Sequence, residues 1–249
     1  MNTVGLIDIG ANITHPQLHN QIDKVVENMK AQNIDKAIIT SSNLKDTKIA
    51  LDIINIYPEI FYTTVGFHPH NAKDFTHENI DEIIKYSENK KVLAIGECGL
   101  DYYREYSKKN DQLFCFEEQL KIAKNTNSPI FLHERNAHDD FVMMLKKYIL
   151  EIEKVVIHCF TGTKKELDIY LDMGCYIGIT GWISDLNRGK HLHDLIKYIP
   201  EDKLMIETDA PYLTPKIIPF KIIGVNEPSY LNYFAQSFAK CLNKDISYV

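Results

Sequence analysis

Short runs of apolar and β-branched residues alternate along this chain with longer stretches in which apolar positions recur every three to four residues. The runs read as strands buried on both faces, and the stretches as amphipathic helices. Strands are expected at Val4–Ile9, Lys36–Ser41, Phe61–Phe67, a run from Val92 that delivers Glu97, Pro129–Leu132, Val155–Ile157, Cys175–Thr180 and Leu204–Glu207. Helices are expected from about Pro16 to Gln32, Lys45 to Tyr57, Glu78 to Glu88, Asp111 to Thr126, Ala137 to Leu150, Lys164 to Met173, Arg188 to Tyr198 and Tyr230 to Cys241.

Eight strand–helix units in strict alternation predict an α/β fold, a single-domain (β/α)8 TIM barrel over residues 1–249. A doubly wound open sheet shows the same alternation and is the competing architecture. The count of eight disfavours it, as does the absence of a glycine-rich phosphate fingerprint after the first strand.

In such a barrel the active site forms where strands end and lead into helices. That face collects Asp8, Asn12, Asn43, His68, His70, Glu97, Asp101, His133, His158 and Asp209. Glu97 lies between two glycines at the end of an apolar strand. A carboxylate so placed is paired, hydrogen-bonded or metal-bound, because an unpaired buried charge is too costly. A structural ion pair is the alternative for Glu97 alone. With His68, His133, His158 and Asp209 on the same face, the pattern points to a metal centre, using ligands suited to Zn²⁺, Mn²⁺ or Mg²⁺.

Charge changes the picture in one respect. The formal net charge is -6, which argues against a broad basic face for duplex nucleic acid and leaves room for a local anion site. The three arginines, Arg104, Arg135 and Arg188, follow the fourth, fifth and seventh strands. Planar guanidinium there suits recognition of phosphate or carboxylate.

The five cysteines are widely spaced and form no C-x-x-C pair, so reduced thiols are expected rather than disulfides or a zinc knuckle. No apolar stretch is long enough to span a bilayer and no signal region opens the chain, so a cytoplasmic protein is expected.

Four motifs now stand in order on four strand ends: Val65-Gly66-Phe67-His68-Pro69-His70, Ala94 to Asp101, Val156 to Gly162, and Ile206 to Leu213. They resemble the TatD family of metal-dependent deoxyribonucleases, in register from about Leu6 to Pro228. The resemblance implies a barrel of the amidohydrolase type that hydrolyses DNA phosphodiesters, commonly as a 3′→5′ exonuclease. It implies Glu97, His133, His158 and Asp209 as metal ligands with His68 beside them, and His70 near the substrate phosphate.

On this reading Asp209, Glu97 and His70 are catalytic, and Asp209 orients or deprotonates the attacking water. His68, Arg104, Arg135 and Asn12 bind substrate, while Phe67, Tyr102, Tyr103, Trp182 and Tyr212 are candidate stackers for a terminal base. Many relatives carry His-x-His where this chain has Gly10 and Asn12. One tight and one weak divalent site are therefore expected, with Mg²⁺ preferred over Mn²⁺ or Zn²⁺. The expected partner is a single-stranded DNA end, for a monomer without a membrane. The chain also stops at Val249 soon after its last helix, which raises truncation as an expectation. An amide or ester hydrolase, such as an aminoacyl-tRNA deacylase, and a non-catalytic barrel are the alternatives.

Overall fold

The structure, a computed structural model, describes residues 5–185, 187–216, 218 and 224–246. Val4, the expected start of the first strand, and Val249 lie outside the described residues. Eight parallel strands form one sheet in chain order, the (β/α)8 arrangement: β1 Leu6–Ala11, β2 Ile34–Ile39, β3 Phe61–Val65, β4 Val92–Asp101, β5 Ile130–Arg135, β6 Val155–Ile157, β7 Tyr176–Ile179 and β8 Leu204–Ile206. The helices are α1 Pro16–His19, α2 Ile22–Ala31, α3 Leu44–Ile56, α4 Glu78–Ser87, α5 Lys109–Thr126, α6 His138–Leu145, α7 Lys164–Asp172, α8 Lys190–Leu195 and α9 Leu231–Leu242. The chain clusters into two compact units, residues 40–158 with 168–176, and residues 1–39 with 159–167 and 177–249.

In the unit of residues 40–158 with 168–176, β4 pairs with β3 and β5, and β5 with β6. β4 is the longest strand, and its register against β5 shifts between Gly96 and Cys98. A bulge of this kind re-aims the side chain it carries, which here is Glu97. Gly99 has φ +142°, and a Cβ there would fall 1.9 Å from the His133 carbonyl oxygen, so only glycine lets the two strands meet.

Helix α5 locks onto the ends of β3 and β4 through two buried glutamines. Gln119 Oε1 accepts from Phe67 N at 2.7 Å, and its Nε2 donates to Phe67 O at 3.0 Å. Gln112 treats Asp101 in the same way, at 2.8 and 3.0 Å. Apolar packing behind these amides includes Phe116 stacked on Phe141, with ring centroids 5.1 Å apart. Helix α3 starts at Asn43, whose Oδ1 accepts from Asp46 N at 3.0 Å, and α5 ends at Asn127 in the left-handed region.

In the other unit, β1 pairs with β2 and β7 with β8. Just beyond β8, Asp209 N donates to Gly10 O at 2.8 Å and Asn12 N to Ala210 O at 2.6 Å, which joins the last strand end to the first.

The structure differs from the sequence reading at a few boundaries. The helix expected from Pro16 to Gln32 is two helices, because Asn20 is a poor helix former and Gln21 leaves the helical region with φ -133° and ψ 32°. The helix expected to reach Leu150 ends at Leu145, and a separate 3₁₀ turn covers Ile149–Glu151. That expected from Arg188 begins at Lys190, because Asp185 holds the Arg188 backbone and guanidinium in the preceding turn. The segment after His68 is a 3₁₀ helix, Pro69–Asp74, started by His68 Nδ1 accepting from His70 N at 3.1 Å.

Candidate metal centre and active site

His68 follows β3, Glu97 rides the β4 bulge, His133 lies within β5, and His158 follows β6. The structure brings all four together. Glu97 Oε1 has His68 Nε2 at 3.3 Å, His133 Nδ1 at 3.1 Å and His158 Nε2 at 3.1 Å. A carboxylate oxygen has two lone-pair directions, so three imidazole nitrogens exceed what Oε1 can accept. The surplus is what a cation resolves, and ligand atoms of His68, Glu97 and His133 all lie within 4.8 Å of one another.

Asp101, four residues beyond Glu97, supports this cluster. Its Oδ2 lies 2.8 Å from His70 Nε2 and 3.4 Å from His133 Nε2. The second contact lacks hydrogen-bond geometry, which leaves His133 Nε2 buried without a hydrogen-bond partner. An orphaned imidazole nitrogen beside two carboxylates is the mark of a ligand, so the residues fit a divalent metal ion.

The electrostatics follow from burial and these neighbours. Burial works to raise the Glu97 carboxyl, but the imidazoles of His158 and His68 and the hydrogen bonds from His133 and His158 hold it well below the usual range. Burial opposes Asp101 too, and contacts from His133 and His70 prevail, leaving it lowered. His68 is pushed down to about 4 by burial, against the pull of Glu97. His133 goes the other way, up to about 9: burial lowers it, and Asp101 and Glu97 overcome that.

Asp209 and Asn12 belong to the other unit and are joined there, Asn12 Nδ2 donating to Asp209 Oδ1 at 3.0 Å. The Asp209 backbone has φ +53°. Its neighbours are fixed by Asp8, which is fully buried and accepts from Thr208 N at 2.9 Å, from Gly10 N at 3.2 Å and from the Thr208 hydroxyl. Burial pushes the Asp8 carboxyl up to about 7, against those hydrogen bonds. Asn226 Nδ2 adds bonds to Thr208 O at 2.8 Å and Tyr212 O at 2.6 Å. Glu207, also fully buried, accepts from Cys159 N at 2.6 Å.

Of the arginines, Arg135 and Arg104 meet on one ring, with guanidinium carbons 3.9 and 5.7 Å from the Tyr103 centroid. Arg188 is engaged by Asp185 at 2.8 Å and lies over Trp182 at 4.7 Å. Two expected stackers are otherwise engaged. Phe67 is buried against Phe75, and Tyr102 donates its hydroxyl to Asp140 at 2.9 Å.

The sequence reading gave Asp101 and Glu207 no role. For Asp101 strand alternation held the signal, since a period of two sets 97, 99 and 101 on one face, whereas Glu207 follows the end of β8. Gln112 and Gln119 left no such trace, because a buried glutamine on an amphipathic helix looks like any polar surface position.

The family model described as TatD related DNase matches residues 7–249. A relative from Edwardsiella piscicida named 3'-5' ssDNA/RNA exonuclease TatD is 38% identical over 245 residues, covering 98% of this chain and 94% of its own length. One of the same name from Erwinia tasmaniensis is 38% identical over 235 residues, covering 94% and 91%. Among solved structures, a hydrolase TatD family protein from Entamoeba histolytica superposes with TM-score 0.87 at 30% identity, covering 98% and 93%. A TatD homologue from Escherichia coli gives TM-score 0.87 at 24% identity, covering 97% and 92%.

Proposed function

Because this chain belongs to the TatD-related DNase family, we propose that it hydrolyses phosphodiester bonds of nucleic acid in a metal-dependent reaction, as a 3′→5′ exonuclease on single-stranded DNA ends and on RNA. The carrying observation is the gathering of three imidazoles around Glu97 Oε1. A scaffold without chemistry has no use for so costly a group of buried polar side chains.

When bound, a divalent ion supplies Lewis-acid polarisation of the phosphoryl oxygen and activation of water near neutral pH. Glu97, His133 and His158, with His68 beside them, would hold it. Asp101 fixes the ring of His70 and places its charge beside that of His133. Asn12 orients the Asp209 carboxylate, which takes the proton of the attacking water. Arg104 and Arg135 hold phosphate oxygens, and His70 assists at the scissile one.

A tight site at the imidazole cluster and a weak one filled out by substrate oxygens suit Mg²⁺ as activator, since that ion keeps several waters and relies on phosphate. A terminus needs no wide basic groove, which agrees with the net charge of -6. We read residues 1–249 as one catalytic domain, acting as a monomer in the cytoplasm. Among the described residues no helix is long and apolar enough to cross a membrane.

The test is end-labelled single- and double-stranded DNA with Mg²⁺, Mn²⁺ or Zn²⁺ restored after chelation. A ladder shortening from the 3′ end supports the reading. Turnover of a model carboxylic ester without DNA cleavage under any metal replaces it with the amide or ester hydrolase.

A further inference from the structure

The segment that leaves β4 presents two exposed tyrosines, one of them against a histidine next to the imidazole cluster. Tyr103 is 56% and Tyr106 57% exposed. The Tyr106 ring meets His70 edge-on, with centroids 4.8 Å apart, and His70 in turn bonds Asp101.

The segment is held firmly although more than half of each tyrosine is exposed. Asp101 Oδ1 accepts from Tyr103 N at 2.9 Å and Arg104 N at 2.8 Å, while its Oδ2 faces His70 and His133. One carboxylate thus positions both the cluster and the start of the loop. Glu105 turns the chain at φ +52°. Ser107 donates to His70 O at 2.9 Å and accepts from Lys73 N at 3.0 Å, and Gln112 Nε2 donates to Ser107 O at 2.9 Å.

A loop anchored at both ends, with an aromatic face left in solvent, forgoes the burial that normally offsets a tyrosine's ordering cost. A planar ligand recovers it. Resting on the nuclease reading, we propose that Tyr106 is the stacking surface for the base of the 3′-terminal nucleotide, and that Tyr103 braces Arg135 against a phosphate of the same strand end. Every base has a π face, so such a surface grips any sequence and selects an unpaired end over a duplex one.

The test is a kinetic cycle with two single-stranded oligonucleotides, one ending in a normal purine nucleotide and one in a 3′-terminal abasic site. Base stacking is worth roughly 5- to 150-fold in affinity. The Tyr106→Ala protein should lose about that factor in kcat/KM on the normal end and little on the abasic end, while Tyr106→Phe keeps wild-type behaviour on both. Equal losses by Tyr106→Ala on both ends, or no loss on either, overturn the proposal, because the ring then acts on the protein or on nothing. Wild-type protein that cleaves neither oligonucleotide overturns the nuclease reading instead, and the proposal with it.

Discussion

His70 Nε2 stands 2.8 Å from Asp101 Oδ2, and that same oxygen lies 3.4 Å from His133 Nε2. One buried carboxylate therefore holds the His70 ring by a hydrogen bond and sets a negative charge against the His133 ring. Asp101→Asn keeps the shape and the cap on Tyr103 and Arg104 but removes the charge. Partners of this kind are worth about 10- to 100-fold in metal affinity or activity. Calorimetric metal titration of the variant should show a loss in that range, and unchanged affinity and turnover would mean that Asp101 serves only the loop.

Glu97→Gln should leave the fold intact and abolish metal-dependent cleavage. The amide cannot balance the charge that His68, His133 and His158 surround. Circular dichroism checks the fold and a nuclease assay at saturating metal checks the chemistry; near-normal activity would make Glu97 structural.

Metal titration of the substrate-free protein should reveal one high-affinity ion, with activity still rising at metal concentrations far above that affinity. The reason is that Gly10 and Asn12 stand where a second site would draw two imidazoles. Two equally tight ions in the free protein would show that other groups complete the second site.

Asp8 gives a pH signature in stability. Its folded value, about 7, is raised above the ordinary aspartate value of 3.8 by burial. Its contribution is then full below the unfolded value and is lost as pH rises through about 7. Relative to Asp8→Asn, the wild type should lose roughly 2–3 kcal/mol of unfolding free energy between pH 5 and pH 8, at about 1.4 kcal/mol per pKa unit. Chemical denaturation of both proteins at the two pH values measures this, and a constant difference would show that Asp8 does not titrate there.

The strands and the strand-end residues were legible because a strand buried on both faces has to be apolar until it ends, so a histidine or carboxylate there breaks the run visibly. The break between α1 and α2 was not, since Leu18, Ile22, Val25 and Met29 keep helical spacing across it. The loop of Tyr103 and Tyr106 was half legible. Exposure of a tyrosine depends on what packs over it, and Tyr102, next in sequence, turns inward to Asp140. Asp101 was visible as a residue but not as a support, because its partners are 31 and 32 positions away in the chain.

Gln112 and Gln119 are seven residues apart, two turns along α5, and so share one face about 10.5 Å apart along the axis. Each offers both halves of its amide to a single backbone residue, Asp101 and Phe67. The helix is thereby a gauge: its pitch is copied onto the distance between the strand ends that carry His68 and Asp101. Gly66 belongs to the same fitting, for a Cβ there would come within 2.5 Å of Gln119 Oε1. Inserting one residue between the glutamines would turn one amide by about 100° away from its strand. The outer face of α5 is free to change, whereas the number of residues between its two prongs is not.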